Sequence, residues 1–188
     1  MTQTAIDITN RALVRVGANK IASFTEGSTE AAVAAEEYEA LVTAKLTEHR
    51  WRFATAQVTL NRLVATPEAR WQFAWQAPPD ALLINAVTDQ GTLIRFDRYG
   101  DKLFTDREGD LVADYCFRPD ESRWPPYFAN AVAAELAHLF ALSIARDQQL
   151  ADTLGRRLER TWAMARLADS QQQSTRRLAP SRFISVRH

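Results

Sequence analysis

An α+β fold is predicted for this chain: a mainly helical body, a small antiparallel β-meander inserted between an N-terminal and a C-terminal helix pair, and an extended C-terminal tail. Three observations predict it. Apolar residues recur at three- and four-residue spacing towards both ends of the chain; four short apolar runs between 80 and 118 alternate with tight-turn sequences; and the pattern stops at Ser170. They place helices over 5–17, 29–49, 126–146 and 148–169, a β-rich insertion over 80–118, one domain over 1–170 and a tail over 171–188.

The first helix opens on Thr4 and Asp7, spaced as a capping box, offers Ile6, Leu13 and Val16 for burial, and ends at Gly17. Ser28 caps the second, whose face runs through Ala34, Tyr38, Leu41, Val42, Lys45 and Leu46. The alanines from Ala31 to Ala35 favour helix and leave room for another helix to approach closely. Trp51 and Phe53 stand where the helical period fades, and are expected to anchor the exit of the second helix. Trp71, Phe73 and Trp75 follow at i,i+2 spacing, which puts all three on one side of an extended backbone and makes them further candidate anchors. Pro78 and Pro79 then stop any helix or central strand.

Strands are expected over 82–87, 92–96, 102–105 and 111–117. The turns between them, at Asp89-Gln90-Gly91, Tyr99-Gly100-Asp101 and Arg107-Glu108-Gly109-Asp110, are too short for parallel crossovers, so sequence neighbours should pair antiparallel. Such a meander is too small to enclose its own core and should rely on the helices for cover. Trp124-Pro125-Pro126 starts the third helix, where Phe128, Val132, Leu136, Phe140 and Ile144 recur every four residues. Leu150, Leu154, Leu158, Trp162 and Ala165 mark the fourth, which should form an antiparallel hairpin with the third.

At 188 residues with 46% apolar content the chain can fill a core. No stretch approaches the roughly 18 apolar residues that span a bilayer, so no membrane association is expected. Basic and acidic residues balance at 23 each, but unevenly: Glu26, Glu30, Glu36, Glu37, Glu39 and Glu48 face only Lys45, whereas residues 170–188 carry Arg176, Arg177, Arg182 and Arg187 and no acid.

The residues give no constellation for catalysis. Glu135 and His138 have half of a di-metal carboxylate motif without the second pair, so no metal is expected. His49 has acids nearby but no serine- or cysteine-centred arrangement, and glycines stand singly in turns rather than in a phosphate loop. Cys116, between Tyr115 and Phe117, reads as a buried thiol. No cofactor is expected. Paired acids for cell-wall hydrolysis, from Asp97, Asp101, Asp106, Glu108 and Asp110, form one alternative. Non-specific nucleic-acid contact through Arg50, Arg52, Arg156 and Arg157, with Arg160 beside them, forms another.

Four blocks occur in a telling order: Ala5-Ile6-Asp7-Ile8-Thr9-Asn10-Arg11-Ala12-Leu13-Val14-Arg15-Val16-Gly17-Ala18; Ile21-Ala22-Ser23-Phe24 with Gly27-Ser28-Thr29-Glu30-Ala31; Glu48-His49-Arg50-Trp51-Arg52-Phe53-Ala54; and Phe73-Ala74-Trp75-Gln76-Ala77-Pro78-Pro79-Asp80. Together, over about residues 4 to 170, they resemble the tail tubular protein A-like head-to-tail adaptors of tailed phages. Arg50 and Arg52 depart from the proline and asparagine expected in that family's helix-ending motif. The resemblance implies a structural, non-enzymatic subunit of a homo-oligomeric ring, commonly twelve-fold, bound below the portal protein. Such a ring extends the channel for double-stranded DNA and offers a docking surface to the next tail or stopper component. It implies a place at the head–tail interface of the virion, after assembly in the host cytoplasm, or the same place in a gene transfer agent. Trp51 and Phe53 then carry packing, Arg50, Arg52, Arg156 and Arg157 are candidate channel contacts, and Arg176, Arg177, Arg182, Phe183, Ile184, Val186 and Arg187 are candidate portal-docking residues.

Overall fold

The computed structural model describes residues 3–172. Its architecture is α+β, with two N-terminal helices, an inserted antiparallel β region and two C-terminal helices. Helix α1 spans Ala5–Arg15, and the capping box at its start is formed: Thr4 Oγ1 accepts from the Asp7 amide at 3.2 Å and the Thr4 amide donates to Asp7 Oδ2 at 3.0 Å. Its end turns at Gly17, with φ at 76°, where the Ala18 amide reaches back to the Leu13 carbonyl. Asn10 then fixes the connection by bonding both the amide and the carbonyl of Ile21.

Helix α2 spans Thr29–Glu48 with Ser28 as its N-cap, and buries Ala31, Ala34, Tyr38, Leu41, Val42 and Leu46. Helix α3 spans Pro126–Ser143 and α4 spans Gln148–Ser170, the latter capped by Asp147. Both end or begin within three residues of the expected bounds. The stripe expected on α3 is wider in the fold: Ala129, Ala131 and Ala133 are as fully buried as Phe128, Val132, Leu136 and Phe140. The reason is that α1, α2 and α4 all pack on α3, so its small residues face neighbours rather than solvent.

The β region departs from the expected meander in three ways. It starts at residue 55 rather than 80: β1 (Thr55–Thr59), β2 (Asn61–Arg62) and β3 (Phe73–Gln76) precede β4 (Leu83–Asp89), β5 (Thr92–Ile94), β6 (Asp97–Tyr99), β7 (Lys102–Thr105) and β8 (Leu111–Cys116). Two sheets form, ordered β1-β8-β4-β5 and β2-β3-β7-β6, all pairs antiparallel. The chain crosses from the first sheet to the second after Ile94 and returns after Thr105, so β8 lies between β1 and β4 instead of beside β7.

The strands also enclose a core of their own. Leu60, Trp75, Ile84, Val87, Leu103, Leu111, Ala113 and Tyr115 from both sheets bury one another, and share no buried member with the helical core around Trp51, Phe128 and Leu136. Apolar faces of two sheets cover each other, which a single meander cannot do. Alternation along β8, with Leu111, Ala113 and Tyr115 inward, sets its register against both neighbours. The β4–β5 hairpin closes through Gln90 and Gly91, with φ of 47° and 81°, a turn whose twist matches the strands it joins.

Candidate functional site

The junction between the two cores is built from the segment that leaves α2. Trp51 is 1% exposed, its ring meets Phe128 edge-on at 5.0 Å, and its indole N–H donates to the Lys45 carbonyl at 2.7 Å, satisfying a group at the end of α2. Phe53 packs 4.9 Å from the same Phe128 ring. These two aromatics thus stand as packing groups where the chain turns from helix to strand. Thr55 seals the turn by donating its hydroxyl to the Trp51 carbonyl at 2.7 Å.

Asp169, near the end of α4, fastens the segment leaving α2 to the helical body. It is 1% exposed; both its carboxylate oxygens accept from the Arg52 amide at 3.1 Å, Oδ1 also accepts from the Tyr127 hydroxyl at 2.8 Å, and His49 Nε2 lies 3.8 Å from Oδ2. Burial, followed by the bond to Asp169, pushes the Tyr127 phenol above its ordinary range. Three chain segments, the α2 exit, α3 and α4, therefore meet on one buried carboxylate. The sequence reading passed over it, although Asp169 continues the buried stripe of Trp162 and Ala165 at four-residue spacing.

Arg50 turns towards the strands and pairs with Asp114 of β8 at 2.7 Å, where Gln57 also donates at 2.6 Å. Arg52 is exposed beside it. Arg156 and Arg157 are exposed on α4, twelve residues or more before Asp169, about 18 Å along the axis at 1.5 Å per residue. The structure does not bring the two arginine pairs together. A further link between α2 and the chain leaving β8 is Arg118, which binds Glu39 of α2 through Nε at 3.0 Å and Nη2 at 2.6 Å, and Glu121 at 2.5 Å.

Trp71, Phe73 and Trp75 belong to the strand module. Trp75 is 3% exposed within its core, and its indole N–H has no partner among the described residues. Phe73 lies under the Arg62 guanidinium at 4.7 Å, and Trp71 donates to Asp97 Oδ2 at 3.1 Å. Of the acids considered for hydrolysis, Asp97 and Asp106 share the rim of one depression of about 270 Å³ with Arg70 and Arg95. Asp97 Oδ2 is already held by Trp71 and by Arg70 at 3.2 Å, and Glu108 pairs with Arg62.

Glu135 and His138 both face α4. Glu135 accepts from the Trp162 indole at 2.5 Å and pairs with Lys45 at 3.3 Å; His138 Nδ1 lies 3.0 Å from the Ala151 carbonyl, its ring against Gly155. Burial works against the Lys45 ammonium, but the carboxylates of Glu48 and Glu135 outweigh it and hold its pKa above the usual lysine value. This explains a lysine on the inner face of α2. Cys116 is buried, donates its thiol towards the Leu46 carbonyl at 3.2 Å, and is pushed up to about 11 by burial. Among the described residues, no three His, Cys, Asp or Glu side chains gather into a metal site, and no helix is long and apolar enough to cross a membrane.

Two open faces of the helical body differ in charge. One is a groove on α4 of about 600 Å³, lined by Tyr127, Arg157, Arg160, Met164 and Ala168 among others. The other is the outer side of α2. The candidate docking residues Arg176, Arg177, Arg182, Phe183, Ile184, Val186 and Arg187 lie outside the described residues. No known protein family matches the chain, and no curated protein matches it.

Proposed function

We propose that this chain is a structural connector, the subunit of a head-to-tail adaptor ring that binds below the portal, extends the DNA channel and presents a docking surface to the next tail component. The observation that carries this reading is the division of the chain into a helical body and a strand module, each with its own core, joined by the ion pairs of Arg50 with Asp114 and of Arg118 with Glu39. A connector must hold two different partners at a fixed separation, and two stiffly joined modules supply two such surfaces. The order of the sequence blocks that resemble tail tubular protein A-like adaptors supports the same reading. The chain acts by holding its partners; no bond is made or broken. It works within a ring of about twelve copies, as such rings close by repeating one heterologous contact, at the head–tail interface of a virion or of a gene transfer agent.

Binding to purified portal rings tests the proposal. The full chain should co-sediment with portal oligomers, and removal of residues 171–188 should weaken that binding more than it weakens folding. Absence of co-sedimentation would refute portal attachment; equal binding by the full and shortened chains would refute the role given to the tail.

A further inference from the structure

The groove on α4 has an apolar floor and a basic rim. Met164, in its lining with Tyr127, Ala165 and Ala168, is 57% exposed, large for a solvated helix face. Arg156, Arg157 and Arg160 are exposed around them and form no ion pair among the described residues. Methionine and arginine beside a tyrosine are residue types enriched where protein surfaces meet. The occupant must therefore be narrow, weakly apolar and acidic.

Residues 173–188 do not meet that requirement: they contain four arginines and no acid, so their charge opposes the groove. The outer face of α2 does meet it. Ala40 and Ala44 are exposed there, on the side that carries Glu36 and Glu37, giving a narrow surface that can enter between long arginine side chains. Glu36 and Glu37 on the same helix form no ion pair among the described residues, whereas Glu30, Glu39 and Glu48 are already held by Asn19, Arg118 and Lys45. Within one chain both helices use their inner faces on α3, so the outer face of α2 and the groove of α4 are open at the same time.

We infer that the α4 groove around Arg157, Arg160 and Met164 receives the outer face of α2, at Glu36 and Glu37, from a second copy of this chain. Because the two surfaces differ, the contact is heterologous and propagates from copy to copy, closing where its rotation closes. This inference rests on the ring reading for its use of both faces at once. The other basic groove, along Arg11, Arg15 and Lys20, has Asp7 on its rim and matches an acidic helix less well.

Charge reversal with mixing tests it on the full chain. Sedimentation velocity up to about millimolar concentration, alone and on portal rings, should show association that weakens with salt. Glu36→Lys with Glu37→Lys, and separately Arg157→Glu with Arg160→Glu, should each weaken association by about tenfold or more while leaving the circular dichroism spectrum unchanged. An equimolar mixture of the two variants should recover to within about threefold of the original chain, because every contact in an alternating assembly then joins opposite charges. Arg11→Glu with Arg15→Glu should leave association unchanged. The inference is overturned by absence of association in the original chain, by reversals without effect, by a mixture as weak as its components, or by loss of association confined to the Arg11 and Arg15 variant. Association through these faces by a protein found elsewhere than between portal and tail would sink the connector reading and leave the interface standing. A ring at that place built through other faces would do the reverse.

Discussion

Replacing Asp169 by alanine should loosen the segment that leaves α2 from the helical body. The carboxylate is 1% exposed and accepts from two kinds of donor, the Arg52 amide at 3.1 Å to each oxygen and the Tyr127 hydroxyl at 2.8 Å. Alanine leaves both donors without that acceptor. Hydrogen bonds to a charged group contribute about 1.5–3 kcal/mol each, and the two together put the loss at about 3–6 kcal/mol. The His49 contact, at 3.8 Å, is too long to add a hydrogen bond to that sum. Asparagine keeps the shape and one carbonyl oxygen, so Asp169→Asn should cost about 1–2 kcal/mol, the part owed to charge. Urea unfolding followed by tryptophan fluorescence measures both. Hydrogen exchange locates the damage, because the Arg52 amide should lose protection before the strand amides of β8 do. A loss below about 1 kcal/mol for the alanine variant, or an unchanged Arg52 amide, would refute the claim that this carboxylate fastens the α2 exit to α3 and α4.

Two tryptophans offer a matched comparison. Trp51→Phe removes the bond to the Lys45 carbonyl and part of a packed ring, and should cost about 2–3 kcal/mol; Trp75→Phe removes an indole N–H that has no partner among the described residues, and should cost about 1 kcal/mol or less. Equal losses in urea unfolding would contradict the difference. Alkaline stability should follow the buried thiol and phenols. Cys116 is pushed from 9.0 to about 11 by burial, so the unfolded chain ionises first; its contribution is intact below pH 9 and falls as pH rises through the folded value, by about 2–3 kcal/mol at 1.36 kcal/mol per unit. Tyr38 and Tyr127, both raised chiefly by burial, steepen the decline above pH 10. Cys116→Ala should flatten the profile between pH 9 and 11, and an unchanged slope would contradict the assignment; iodoacetamide at pH 8 should modify Cys116 only after unfolding.

Local chemistry was legible in the sequence wherever neighbours along the chain decide the structure. Thr4 with Asp7, Ser28 and Gly17 mark helix ends through short-range hydrogen bonds, and Gln90-Gly91 marks a hairpin through its backbone preference. Long-range pairing was not legible. β1 carries no clean alternation because it lies at a sheet edge with Val58 38% exposed, and its partner β8 is more than fifty residues away. β2 is two exposed residues long. The same limit hid the second sheet and therefore the strand core. On α3, four-residue spacing of large residues identified the helix but understated its burial, since only the placement of three neighbouring helices shows that Ala129, Ala131 and Ala133 are inside.

At the junction, Trp51 and Phe53 were recognisable as large apolar residues at a change of pattern, while Asp169 looked like an ordinary acid near a helix end. Its role depends on Tyr127 and Arg52, forty-two and one hundred and seventeen residues away. Arg50 shows the same dependence, since its pairing with Asp114, sixty-four residues away, links the α2 exit to β8.

Electron cryomicroscopy of the purified particle tests the central claim most directly. The account predicts density for this chain as a closed ring between portal and tail, its helical body and strand module resolved as two layers. Density for the chain at any other place in the particle, or its absence from the particle, would contradict the connector proposal.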